Sequence, residues 1–524
     1  MRVESRTWWA VRLAACVWMA ASAGAPALAQ PQSLPQSVPP SVWPTAGWTQ
    51  SSPEAQGMDS EALAALIDFG RSSAMDSLLV TRHGRLVVDA YYAPFGAGLK
   101  HALNSTTKGV VGTLTGMAIQ DGLLSSREQP VLDLFPEHGP VNADASKKAI
   151  TLGHLLDMTS GLDWKEKLDD SVPETMLQMT RSANWQGFVL DRPMAAAPGT
   201  VFNYNSGNTH LLSAILARKT GGGTLAYAQE RLFKPLGIQD VRWNRDPQGV
   251  EIGGWGLYLH PRDMAKLGYL YVRKGQWEGR QLLPAAWVDQ VFQASVDMGA
   301  GIGASFRYAN GWWTMPDKRA FMMVGFNRQL VIVLPDLDIV AVATGRRHYP
   351  FAGLIDRITA SARSASPMPE NDAASALLAQ RVREASVEVR SAVEPTPALA
   401  AEVSGRRWQF ERNLLGVKSL VLDLDAANPT YELVHASLRS GAPSPPVRGP
   451  IGLDGYYRVA SSDGPSPVAV KGQWLDARSF QVISRALSDG DVSVFTLRFD
   501  GPAVDVSFEN NRGFKTQIPG KAAP

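Results

Sequence analysis

Ser105 and Lys108 stand three apart in Asn104-Ser105-Thr106-Thr107-Lys108-Gly109, with Val110, Val111, Leu114 and Met117 following at helical spacing. Residues three apart on a helix share a face, one turn from each other. At the start of a buried helix that spacing brings a hydroxyl and an amine within hydrogen-bond reach. Serine is a poor nucleophile until a neighbouring base takes its proton, and a desolvated lysine is such a base. Ser-x-x-Lys is thus a minimal device for acyl transfer. The competing reading of the same four residues is a polar helix cap, with Ser105 satisfying backbone donors.

A tyrosine offers a third group. Pro198-Gly199-Thr200-Val201-Phe202-Asn203-Tyr204-Asn205-Ser206 turns, presents Tyr204, and enters a helix through Leu211, Leu212, Ile215 and Leu216. The phenol reads either as an ordinary amphipathic surface group or as one projecting into a cleft. His154 has Asp157 beside it but no second ligand at metal-binding spacing, so it reads as a packed structural histidine. Gly299-x-Gly301-x-Gly303 lacks the strand–helix setting of a dinucleotide loop. No metal and no cofactor is expected.

The elements that must position these groups follow from pattern. Asp59 caps a helix with Leu63, Leu66 and Ile67 on one face and Gly70 at its stop. Leu78 to Thr81 and Leu86 to Val88 form a hairpin about His83-Gly84. Thr151 caps a short helix expected to end at Gly161. Ala320 to Val324, Gln329 to Leu334 and Ile339 to Ala343 are three later strands, and 350–365 is a helix. The expected fold is α+β: a five-stranded antiparallel sheet flanked by helices with a helical insertion.

Outside this region the chain changes character. Arg2, Arg6 and Arg12 precede an apolar run, and Ala27-Leu28-Ala29 supplies a small-x-small cleavage pattern, so 1–29 reads as an export signal. A lipoprotein signal at Cys16 is the rival. Cys16 is the one cysteine, so the mature chain would carry no disulfide or thiol chemistry, consistent with a periplasmic or secreted protein. Removing the signal balances basic against acidic residues, which gives no electrostatic case for nucleic acid or anionic membrane. Residues 30–56 form an extended Pro-, Ser- and Gln-rich arm, 57–365 the main domain, and 366–402 a linker with a helix. Residues 403–524, with short alternating strands, form a small all-β domain, sandwich or barrel; its His435 is a structural strand histidine.

Taken in order, Ser105-x-x-Lys108, Met158-Thr159-Ser160-Gly161-Leu162 and Pro198-Gly199-x-x-Phe202-x-Tyr204 resemble the serine β-lactamase superfamily. The chain is most similar there to class C-like serine hydrolases, which include carboxylesterases and 6-aminohexanoate-dimer-hydrolase-like amidases. The match continues through Gly253-Gly254-Trp255-Gly256, Pro261-Arg262-Asp263 and Leu282-Leu283-Pro284, over about residues 45–365. The resemblance implies an acylated Ser105 with Lys108 and Tyr204 as proton-handling partners, acting on a small ester or amide. Ser206 stands where many members carry asparagine. Lys219-Thr220-Gly221 looks like the family's third motif but reads as a helix C-terminus. The counterpart is Gly325-Phe326-Asn327-Arg328-Gln329, whose backbone would complete an oxyanion hole with Ser105, and there Arg328 replaces the usual glycine. Phe326, Arg328 and Gln329 are therefore the candidate substrate-side residues, with Ser206. Two rivals remain: a D-Ala peptidase or β-lactamase of the same fold, and a non-catalytic penicillin-binding-like protein.

Overall fold

The computed structural model describes residues 42–139, 141–166, 168, 173–299, 306–436, 444–460 and 466–523. The expected export signal, Cys16, the first part of the arm and most of the Gly299 to Gly303 run lie outside them. Residues 41–524 form one compact unit.

Asp59 caps α1 (Ser60–Ser72), its carboxylate accepting from the N–H groups of Glu61 and Ala62. β1 (Met75–Arg82) and β2 (Arg85–Tyr91) follow, joined by His83 and Gly84, both at positive φ. The short β3 (His101–Ala102) leads through a 3₁₀ turn, Asn104–Thr106, into α2 (Thr107–Gln120). Apart from its last two residues α2 is buried all round, as expected of a helix at the centre of a large domain.

The insertion contains α3 (Ala145–Lys148), α4 (Leu152–Leu156), α5 (Glu174–Arg181), α6 (Trp185–Leu190), α7 (Ser206–Thr220) and α8 (Thr224–Ala228). α4 ends at Leu156, earlier than Gly161. Thr151 and His154 form a reciprocal capping box, which fixes His154 as a structural residue. α7 stops at Gly221 in the left-handed region, so Lys219-Thr220-Gly221 is a helix C-terminus.

β4 (Arg242–Trp243) and β5 (Leu257–Leu259) pair in a small sheet with β3. Next come α9 (Pro261–Val272), the β6 (Gln276–Trp277) and β7 (Arg280–Gln281) hairpin, and α10 (Ala285–Phe292). β8 (Val296–Asp297), β9 (Arg307–Ala309), β10 (Trp312–Met315), β11 (Ala320–Gly325), β12 (Gln329–Leu334) and β13 (Ile339–Gly345) complete the main sheet. Among the described residues its order is β2-β1-β13-β12-β11-β10-β9-β8. The five strands expected are present, and the sheet is larger by three. Those extra strands are two to four residues long, too short for a clear alternation, although Asn310-Gly311 between β9 and β10 is a hairpin signal.

α11 (Phe351–Ser361) and α12 (Asp372–Ala385) cover the other face, where Leu378 and Ala385 join a core with Leu66, Leu78 and Ile355. The described part of the arm, from residue 42, is laid back onto the domain: Trp43 packs against Tyr269 and Trp277, and Trp48 against Tyr269.

After α13 (Leu399–Val403) the chain is all β. β14 (Arg407–Phe410), β15 (Val417–Asp423), β16 (Thr430–His435), β17 (Val447–Pro450), β18 (Arg458–Ala460), β19 (Val468–Trp474), β20 (Ser479–Ala486), β21 (Asp491–Asp500), β22 (Ala503–Asn510) and β23 (Lys515–Ala522) form one antiparallel sheet. Its order, β17-β16-β15-β14-β23-β22-β21-β20-β19-β18, curls into a near-barrel around Trp408, Trp474, Phe480 and Phe499. β22 shows why: Val504, Val506 and Phe508 alternate inward against exposed neighbours.

Candidate active site

The Ser105 segment is held from two sides. Leu103 donates its N–H to the Leu257 carbonyl at 2.8 Å on β5, and Thr106 Oγ1 donates to the Gln329 carbonyl at 2.7 Å on β12. Asn104 takes a left-handed φ of 48°, which asparagine tolerates better than most residues. Its amide donates to the Phe326 carbonyl at 3.2 Å, so the turn after β11 lies alongside the residue preceding Ser105. A Cβ on Gly325 would sit 2.2 Å from the Leu103 carbonyl oxygen, so only glycine allows this approach.

Lys108 lies one turn further on and is almost wholly buried. Its Nζ donates to Ser105 Oγ at 2.9 Å, Ser206 Oγ at 3.0 Å and the Gly254 carbonyl at 2.8 Å. Burial pulls its pKa down to about 8, against the opposing pull of Glu166. Gly254 comes this close because it lacks a side chain: a Cβ there would lie 2.9 Å from Ser206 Cβ.

Tyr204 is placed just ahead of α7, whose N-cap is Asn205. The Asn203 N–H donates to the Met158 carbonyl at 2.8 Å, which anchors the turn to the loop after α4. The Tyr204 ring packs 4.7 Å from Lys108 Nζ. Burial pushes the phenol far above its ordinary pKa, Glu166 adds to that, and a hydrogen bond with Ser105 works the other way. Tyr204 is therefore a neutral phenol across the working pH range. The structure brings together Ser105, Lys108, Tyr204 and Ser206.

It also brings in Glu166. Ser206 Oγ donates to Glu166 Oε1 at 2.5 Å, while the Ser206 N–H at 2.8 Å and Trp164 Nε1 at 2.7 Å donate to Oε2. The only sequence signal for this residue is its place four positions after the Met158 to Leu162 stretch. An isolated acid on a loop otherwise reads as solvated.

The remaining candidates occupy different places. Gln329 is fully buried: its amide donates to the Gly345 and Phe326 carbonyls and accepts from the Gly345 N–H, bracing β12 against β13. Arg328, also at positive φ, donates Nε to the Tyr349 carbonyl at 2.7 Å and lies 3.8 Å over the Phe351 ring. It is thus braced on the start of α11. The half-buried Phe326 packs against His348, and Arg512 of the β domain lies 5.4 Å from its ring. Among the described residues no cluster of His, Cys, Asp and Glu could hold a metal ion. None of their helices is long and apolar enough to cross a membrane.

The Beta-lactamase family model matches residues 66–364, more than half of the chain, and the chain belongs to that family. It is a β-lactamase-fold hydrolase with esterase- and amidase-type relatives. The 6-aminohexanoate-dimer hydrolase of Paenarthrobacter ureafaciens is 26% identical over 287 residues, 51% of this chain and 71% of that protein. Esterase EstB of Burkholderia gladioli is 27% identical over 212 residues, 36% of this chain and 53% of that one. Among solved structures, the octameric penicillin-binding protein homologue from Pyrococcus abyssi aligns over 88% of this chain and 99% of its own, with a TM-score of 0.45 and 15% identity.

Proposed function

We propose that the chain is an exported serine hydrolase that cleaves a small ester or amide through an acyl-enzyme on Ser105. The observation that carries this reading is the 2.9 Å bond between Ser105 Oγ and the buried amine of Lys108, whose pKa lies near 8. An amine tuned to that range is partly neutral at working pH and can take the serine proton. In acylation Ser105 Oγ attacks the carbonyl carbon as its proton passes to Lys108 Nζ. The oxyanion is received by the backbone N–H groups of Ser105 and Phe326. The bond to the leaving group then breaks as the Tyr204 phenol protonates it, and Lys108 returns its proton to Tyr204. Water reverses the sequence in deacylation and frees the acid. A phenol held above its ordinary pKa serves this scheme as a donor, which leaves the role of base to Lys108.

The resemblance to an esterase and to a 6-aminohexanoate-dimer hydrolase supports the substrate class. Residues 1–29 are proposed as the export signal, which places the enzyme in the periplasm or outside the cell. The test is intact-mass spectrometry after treatment with a fluorophosphonate. One adduct is expected, absent in Ser105→Ala; an unchanged adduct in that variant removes Ser105 from the reaction.

A further inference from the structure

A neutral lysine has two N–H groups to donate and one lone pair, and Lys108 has three partners. The Gly254 carbonyl can only accept. A serine hydroxyl can do either, so Ser206 decides where the lone pair goes. If Ser206 donated to Lys108, it would occupy the lone pair that Ser105 needs. If Ser206 accepts, both N–H groups are used on Gly254 and Ser206, and the lone pair is left facing Ser105.

Glu166 makes that choice. Its Oε1 lies 2.5 Å from Ser206 Oγ, a length typical of a hydroxyl donating to a carboxylate. The hydroxyl proton is thereby committed away from Lys108. Three donors converge on Glu166: the Ser206 hydroxyl, the Ser206 N–H and the Trp164 indole. Only a group that accepts at both oxygens satisfies all three; an amide would set its NH₂ against one of them. The Ser206 N–H is also a first-turn donor of α7, where a negative group is favoured.

We propose that Glu166 is a positioning residue for acyl transfer: by holding the Ser206 proton it turns the Ser206 oxygen toward Lys108 and aims the lysine lone pair at Ser105. The inference rests on Ser105 being the acylated nucleophile. Tyr204, ahead of α7, packs on Lys108, and Tyr308 of β9 and Asp157 after α4 lie within electrostatic reach of one another, with Tyr308 also in reach of Tyr204. Burial keeps both phenols protonated and Asp157 is paired with Arg127, so the charge Lys108 feels is that of Glu166.

The test is the pre-steady-state acylation rate of Glu166→Gln, Glu166→Asp and Ser206→Ala against pH, with a phenyl ester. Glu166→Gln is expected to slow acylation roughly 10- to 100-fold. It should also move the acidic limb of the profile to lower pH, because the charge opposing the burial of Lys108 is gone. Glu166→Asp keeps the charge and should leave the limb near its wild-type position while recovering part of the rate. In the Ser206→Ala background Glu166→Gln should add little further rate loss. A Glu166→Gln enzyme that binds substrate less well or melts earlier, with rate and limb unmoved, has lost only a loop clip, and the inference fails. Should Glu166→Gln not fold, a Ser206→Ala enzyme with a wild-type acylation rate overturns the inference by itself. Absence of a Ser105 adduct in the wild type overturns the functional reading instead, so the two failures are distinguishable.

Discussion

The backbone N–H of Ala102 donates to the Ser488 carbonyl at 2.6 Å, so the β20–β21 turn of the β domain is bonded to the chain three residues before Ser105. Around that bond the two parts of the molecule share charge. Asp76, buried at the start of β1, accepts from Arg485 of β20 at 2.8 Å, from Arg346 at 2.8 Å, and faces the buried His101 at 3.2 Å. Tyr258 donates to Asp489 at 2.6 Å, and the Asn511 amide donates to the Arg346 carbonyl at 3.0 Å.

Removing the β domain should therefore damage the hydrolase. Ending the chain after Arg363 would strip Asp76 of Arg485 and also remove α12 from the core. A soluble, folded truncation that still takes the fluorophosphonate at the wild-type rate would show the β domain to be dispensable. The finer test is Arg485→Met, expected to cost about 1–3 kcal/mol because a buried acceptor loses a charged donor. Combined with Asp76→Asn the loss should be less than additive, as read from urea titrations.

The same cluster sets a pH dependence of stability. Burial alone would raise the Asp76 pKa, but Arg346, the His101 hydrogen bond and Arg485 outweigh it and hold the carboxyl well below the usual range. A carboxyl depressed in the folded state stabilises fully above its unfolded pKa of about 3.9. That contribution fades as pH falls below this value toward the folded pKa. Wild type should lose urea stability more steeply than Asp76→Asn between about pH 4 and pH 2.

Turnover should rise with pH through the Lys108 pKa of about 8, since the base must be neutral to act. Lys108→Arg should lower kcat/KM by about 10²-fold or more and abolish that limb, because a guanidinium does not give up its proton in this range. A pH–rate profile that falls through pH 8 would contradict Lys108 as the base.

Tyr204→Phe separates leaving groups. A p-nitrophenyl ester departs without needing a proton, whereas an alkyl ester or amide needs one. The substitution should cost about 10²-fold on the alkyl ester and markedly less on the p-nitrophenyl ester. Equal losses on both would assign Tyr204 to binding instead.

Gly254→Ala should act without touching any titratable group. Its Cβ would press on Ser206, pushing the carbonyl away from Lys108. The expected outcome is a loss in kcat of about 10-fold or more with a melting temperature within a few degrees of wild type. Wild-type kcat would mean that the third Lys108 contact is not needed.

Ser105, Lys108 and Tyr204 are legible in the sequence because each lies in a local pattern: a three-residue spacing at a helix start, and a turn ahead of an apolar helix. The same holds for α1, whose cap and stripe are contiguous, and for the central strands. Glu166 is not legible in this way. Its partner Ser206 lies 40 positions away, and only the folded loop brings a carboxylate under the start of α7. Gln329 shows the opposite: it sits in a motif position yet serves backbone carbonyls and an N–H from within the sheet. The β domain is legible as β but not as a neighbour of Ser105, since the bond nearest that residue is made by the turn after β20, where alternation carries no information.

The partners of the short segment around Ser105 come from far along the chain: Ser206, Gly254, Leu257, Phe326, Gln329 and finally Ser488. This has a consequence in time. A chain made from its N-terminus displays Ser105 and Lys108 early, but the groups that hold them in place arrive only with the later residues, and contacts so distant in sequence form late. A chain grown only as far as α2 thus displays Ser105 and Lys108 without the contacts that hold them, and the last of those contacts waits for Ser488.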